Sequence, residues 1–166
     1  QYIVNRFKDE PRIFCWQLGN EIRDLSSTST FVTWCETVHD AIRAIDPYHM
    51  INSGVSRNLA GLTYSQAVGL YDDRFDFLVG HAYNGSDSED DTSLASTLGK
   101  PFIVGEAGFN SDWYSDRPSQ TNADISKWVN RGARGYLQWG LMATTFDNGD
   151  GDRYHGVDHV FHNYDW

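Results

Sequence analysis

Cysteine is nearly absent: the 166 residues hold two, Cys15 and Cys35, in no C-x-x-C pair. A disulfide framework is thereby excluded, leaving buried thiols or at most one strand-to-helix bridge in an oxidising compartment. Cations are scarce as well. Lys and Arg total 13 against 23 Asp and Glu, and the formal net charge is −10. Nucleic acid demands a basic surface, and anionic membranes repel an acidic one, so neither is expected as a partner. No apolar run approaches the roughly 18 residues needed to cross a bilayer. No signal peptide is visible, and the opening "QYIVNRFKDEP" reads as the tail of a helix and as a trimmed or processed product. A secreted or periplasmic setting is compatible with that reading.

Aromatic residues, by contrast, are abundant. They make up 14% of the chain, with six Trp and nine Tyr. Sugars present flat C–H faces that stack on such rings, so a carbohydrate partner is the first candidate, with an aromatic-rich core as the alternative. At 40% hydrophobic content the chain can build one domain, residues 1–166, around its own core.

Short apolar runs recur along it: "RIFCWQLG" (12–19), "HMINSG" (49–54), "FDFLVGHAY" (75–83), "PFIVGEAGF" (101–109) and "GYLQWGL" (135–141). Each has strand length and most are continuously apolar, the pattern of strands covered on both faces, as in parallel sheets. Phe31, Trp34, Cys35, Val38, Ile42 and Ile45 follow three- and four-residue spacing and predict a helix that Asp46-Pro47 stops. A second helix is predicted over 119–131, with Ile125, Trp128 and Val129 on one face and Gly132 after it. Shorter helical pieces are expected within 57–70 and 92–98, and "NGSDSEDDTS" (84–93) reads as a polar, acidic loop. Strand and helix alternate, which is the signature of βα units on a parallel sheet, and ligands of such sheets sit at the carboxyl ends of the strands.

Four of those ends carry notable groups: Asn20-Glu21 after the first run, His81 and Tyr83 at the third, Glu106 at the fourth and Trp139 at the fifth. Singly, Glu21 could be a helix-start charge, Glu106 an ion-pair partner, His81 a satisfied core histidine and Trp139 core filling. Together they place two carboxylates on one rim, where a purely structural sheet has no reason to desolvate them. Two carboxyl groups across a sugar-sized gap suit glycosidic bond cleavage, one protonated to assist the leaving oxygen and one ionised to attack the anomeric carbon. Crowded like charges push one pKa up and leave the other low. Asn20 would hold the sugar 2-hydroxyl.

The motifs "WQLGNEI" and "PFIVGEAGF" resemble the acid/base and nucleophile motifs of clan A retaining glycoside hydrolases, the (β/α)8-barrel enzymes. With "VNRFKDEPRIFCWQLGNEI", "GHAY" and "YLQWG" the chain is most similar to glycoside hydrolase family 5, the cellulases and mannanases. The resemblance implies Glu21 as general acid/base and Glu106 as nucleophile. It implies Asn20 at the 2-hydroxyl, Tyr83 orienting the nucleophile, His81 against substrate and Trp139 as a platform under the cleaved sugar. It further implies half of a TIM barrel, about five parallel strands with about four helices, corresponding to the family's strands four to eight. The substrate would be a β-linked glycan of mannan or glucan type, cleaved without a cofactor. A sugar-binding half-barrel without chemistry, or a fragment active only with its N-terminal half, are the alternatives.

A half-barrel leaves two outer strands and an apolar inner face to be covered, which suggests a homodimer through the barrel edges, or local cover by the N-terminal helix or the closing "VFHNYDW". In "FDNGDGDRYHGVD" (146–158), Asn148, Asp150 and Asp152 alternate as at the start of a calcium loop, but Arg153 stands where such a loop needs glycine and His159 where it needs glutamate. His155, His159 and His162 have no zinc spacing, so no metal is expected.

Overall fold

A computed structural model of the chain describes residues 1–22, 27–57, 60–83, 86–109 and 116–139. The segments singled out above within 146–166, with His155, His159 and His162, lie outside the described residues. The element order is α1 (Tyr2–Phe7), β1 (Cys15–Gln17), α2 (Thr28–Arg43), β2 (Met50–Asn52), α3 (Tyr64–Arg74), β3 (Leu78–His81), α4 (Ser86–Leu98), β4 (Phe102–Ala107), α5 (Arg117–Asn130) and β5 (Gly135–Gln138). All five expected strands are present, each shorter than its apolar run, and all pair in parallel. β1 pairs with β2, and β3-β4-β5 form a second ladder, without closing a barrel. Asp76 joins the two ladders: its N–H donates to the Ile51 carbonyl at 3.0 Å. Its Oδ2 accepts the Ile51 N–H at 2.7 Å, and the Arg43 guanidinium at 2.8 Å.

Side-chain caps start α2 and α3. In α2 the Ser27 side chain accepts the Thr30 N–H, and Phe31, Cys35 and His39, four residues apart, make the buried stripe. Cys15 and Cys35 are both free thiols. Burial pushes Cys35 up to about 12, with the nearby Glu36 charge adding, so it stays a protonated core thiol. In α3 a Thr63–Gln66 capping box starts the helix within the expected 57–70 span, and it runs on to Arg74. Fully buried Trp128 anchors α5 against Phe102 of β4, ring centroids 6.2 Å apart. Burial of a large apolar side chain contributes roughly 1.5–3 kcal/mol. Val129, expected on the same face, is instead 58% exposed; the sheet is met by Trp128, fully buried, and by Asp124, which accepts the Tyr136 O–H of β5 at 2.8 Å.

The stretch read as an acidic loop at 84–93 is corrected: α4 starts at Ser86. Its buried residues are Ser88, Asp91, Thr92, Leu94 and Ala95, a helical face written largely in polar residues. Asp90 meets Arg57 at 2.8 Å, so this acidic run is held by a cation of the β2–α3 connection. No helix among the described residues is long and apolar enough to cross a membrane. Phe14, just before β1, and Leu137 of β5 are both 58% exposed.

Candidate active site

The motif "WQLGNEI" is held from both ends. Trp16 Nε1 donates to Asp46 Oδ2 at 2.7 Å, and His49 Nδ1 lies 2.6 Å from the same oxygen. The N–H groups of Tyr48 and His49 fill Asp46 Oδ1. Burial works to raise the Asp46 pKa, but these donors outweigh it and hold the carboxyl below the usual carboxylate range. Beyond β1 the parallel pairing continues irregularly: Leu18 N–H donates to Asn52 O at 3.1 Å and Glu21 N–H to Gly54 O at 3.0 Å. Glu21 itself adopts φ +47°, the left-handed region that non-glycine residues rarely enter. Such a conformation persists only where its surroundings over-determine it, and here the Gly54 carbonyl does so.

On the other ladder, His81 is the register partner of Glu106 across a bulge, and the Ala82 N–H donates to the Glu106 carbonyl at 2.7 Å. The bulge turns both side chains toward Glu21. His81 Nδ1 lies 2.7 Å from Glu21 Oε1 and 3.5 Å from Glu106 Oε2. Tyr83 O–H donates to Glu106 Oε2 at 3.1 Å. One donor atom each of Glu21, His81 and Glu106 falls within a 4.8 Å circle. The side chains are 24%, 6% and 12% exposed respectively, so the pair of carboxylates is partly desolvated with Glu21 on the open side. Burial first, and the Glu106 charge next, push the Tyr83 phenol far above its ordinary pKa, so it remains a hydrogen-bond donor.

Glu21, His81, Tyr83 and Glu106 thus meet at one rim. His81, expected against substrate, also bonds Glu21. Asn20 precedes Glu21 with its side chain exposed. Trp139 follows β5, its N–H on the Ala107 carbonyl at 2.8 Å and its side chain 38% exposed. Sequence reasoning missed Gly54 and Asn52. The Asn52 amide accepts the Gly54 N–H at 2.9 Å through Oδ1 and reaches Cys15 Sγ at 3.3 Å through Nδ2. The signal was there, since "HMINSG" ends another apolar run with an amide and a glycine.

Residues 1–86, which carry Glu21, His81 and Tyr83, match the family described as GH family 5 β-mannosidase-like. The chain belongs to this family. Among curated relatives of this family 5 chain, the probable mannan endo-1,4-β-mannosidase F of Emericella nidulans is 32% identical, covering 94% of the chain and 42% of the relative. The mannan endo-1,4-β-mannosidase A of Podospora anserina is 29% identical, covering 87% and 45%. The hyperthermostable endo-1,4-β-D-mannanase of Thermotoga petrophila shares the fold at TM-score 0.73 and 19% identity, over 95% of this chain and 54% of that one. The expected partial (β/α)8 architecture therefore stands. The family 5 chain spans less than half the length of the two curated relatives.

Proposed function

We propose that residues 1–166 form the catalytic-type half of a retaining β-glycoside hydrolase acting on a β-linked mannan or glucan. The observation that carries this reading is the approach of the two carboxylates: an oxygen of Glu21 and one of Glu106 lie within 4.8 Å. Retaining enzymes hold their carboxyls about 5–5.5 Å apart, and inverting enzymes roughly 6.5–9.5 Å apart to admit a water. In this reading ionised Glu106, oriented by Tyr83, attacks the anomeric carbon and forms a covalent glycosyl ester. Glu21 gives its proton to the departing oxygen, then takes one from the water that hydrolyses the ester. With hydrogen on Nδ1, His81 donates to Glu21 Oε1 and leaves Oε2 to carry the working proton. Asn20 at the 2-hydroxyl and Trp139 under the sugar complete the site.

The test is hydrolysis of β-mannan oligosaccharides by the purified chain, followed by proton NMR. Release of the β-anomer first is expected, relaxing later to the anomeric equilibrium. Initial α-anomer would refute double displacement. The chain's share of its relatives' length favours one further arm. If the chain alone is silent but turnover appears on mixing it with residues of a relative that precede the matched region, the half requires its complement. Glycan binding with no turnover in either arm would make it a binding domain.

The exposed Leu137 and Phe14 support a homodimer through the ladder edges as the form of the isolated chain. Light scattering across a concentration series should return twice the chain mass, and a monomer at all concentrations would remove the dimer.

A further inference from the structure

We propose that a cleft at the amino ends of β2, β3 and β4 is a second carbohydrate site, which holds a neutral β-linked glycan chain away from the catalytic rim. Its volume is about 530 Å³, and Arg43, Pro47, Tyr48, Asp73, Arg74 and Asp76 are among the residues that line it. Small-molecule sites occupy roughly 300–1,000 Å³. Tyr48 is 87% exposed, the most exposed large apolar side chain among the described residues. Its backbone is nonetheless fixed: Pro47 precedes it, and its N–H donates to Oδ1 of the buried Asp46 at 3.0 Å. A ring anchored through its backbone and left in water does nothing for the core. To a sugar it offers a large, rigid contact area at low entropic cost.

The polar groups beside the ring suit hydroxyls better than an ion. Asp76 Oδ2 accepts the Arg43 guanidinium at 2.8 Å and the Ile51 N–H at 2.7 Å, so this donor and acceptor stand fixed on the wall. Asp73 adds an exposed carboxylate and Arg74 a second guanidinium. The Lys100 ammonium, also at the cleft, is turned onto the carbonyls of Tyr71, Asp72 and Phe75. Two guanidiniums then face two carboxylates, and a balanced wall selects a neutral ligand with hydroxyls to pair. His81 follows Asp76 by five residues, about 16 Å of extended chain, which separates the cleft from the rim. A single sugar on the rim cannot reach Tyr48, whereas a polymer held in the cleft is kept at high effective concentration near the rim. The choice of glycan rests on the catalytic reading, while sugar binding in the cleft stands apart from it.

The experiment is depletion of the whole chain from solution by insoluble β-mannan, for the parent, Tyr48→Ala, Tyr48→Phe and Tyr64→Ala. Tyr48→Ala is expected to weaken retention by about 3- to 10-fold, and Tyr48→Phe, which keeps the ring, to bind as the parent does. Tyr64, 49% exposed at the start of α3 and outside the cleft, controls for loss of any surface ring. Turnover of a single-sugar aryl β-glycoside, read in the same samples, should be equal in Tyr48→Ala and the parent. Retention unchanged in Tyr48→Ala would overturn the site, and so would an equal loss in Tyr64→Ala. An active chain whose hold on mannan ignores Tyr48 refutes the inference alone. An inactive chain that loses mannan in Tyr48→Ala and keeps it in Tyr64→Ala refutes the catalytic reading alone.

Discussion

Changing Glu106 to Gln is expected to lower kcat on β-mannan oligosaccharides by on the order of 10^4-fold while glycan binding survives. The amide keeps the side-chain length and an oxygen to accept the Tyr83 hydroxyl, which stands 3.1 Å away in the parent. What it loses is the charge and lone pair that form the glycosyl ester, and nothing else on the rim can replace them. Glu21→Gln should behave differently, because the part proposed for it is proton transfer. A glycoside whose leaving group needs no proton, such as a dinitrophenyl glycoside, should still form the ester in that variant. The ester would then persist for want of a base, and azide, which attacks without one, should restore release as the β-glycosyl azide. Steady-state kinetics on both substrates, with isothermal titration for binding, make the comparison. Turnover in Glu106→Gln within tenfold of the parent would remove Glu106 from the nucleophile's role. Equal losses on both substrates in Glu21→Gln would remove Glu21 from the acid's.

The strand ends could be read from sequence because a glutamate after an apolar run conflicts with everything else such a run is for. Glu21 and Glu106 each break a local rule, and a broken rule at a strand end marks a site. The meeting of His81 with Glu21 could not be read, since it joins residues 60 apart through a bulge that shifts the β3–β4 register. Of α4 only the end within 92–98 was expected as helix; its first half was not, because Ser88 and Asp91 occupy positions on its buried face that a periodicity argument expects to be apolar. The expected outward and inward faces of α5 failed at Val129 for a related reason: one large ring, Trp128, satisfies the contact with β4 and leaves its neighbour to solvent. Residue chemistry was legible wherever a side chain carried it. Support supplied by the backbone was not.

Gly54 is the clearest case of such support, and Gly54→Ala should cost about 10²-fold in kcat with little change in KM. Gly54 has φ +75°, and a Cβ there would lie 1.7 Å from the Gly19 carbonyl oxygen and 2.6 Å from Gln17 Cγ. The obstacle is backbone, so the turn from Gly19 to Glu21 must move as a piece. Its N–H bond from Glu21 to the Gly54 carbonyl is 3.0 Å long and anchors the rare φ of Glu21. A displacement of about 1 Å at a catalytic group is enough for an effect of that size. Part of the damage will be plain conformational strain, about 1–2 kcal/mol for a non-glycine residue in the left-handed region. Gly99→Ala separates the two contributions. Gly99 has φ +65° with nothing within 4 Å of its added Cβ, and it ends α4 away from the rim. It should lose comparable stability in thermal melts yet keep its kcat. The pH dependence of kcat should also change in Gly54→Ala alone, because Glu21 moves relative to His81 Nδ1, now 2.7 Å away. A Gly54→Ala chain that melts lower but turns over with the parent's kcat and pH profile would show that the glycine serves the fold and leaves Glu21 where it was.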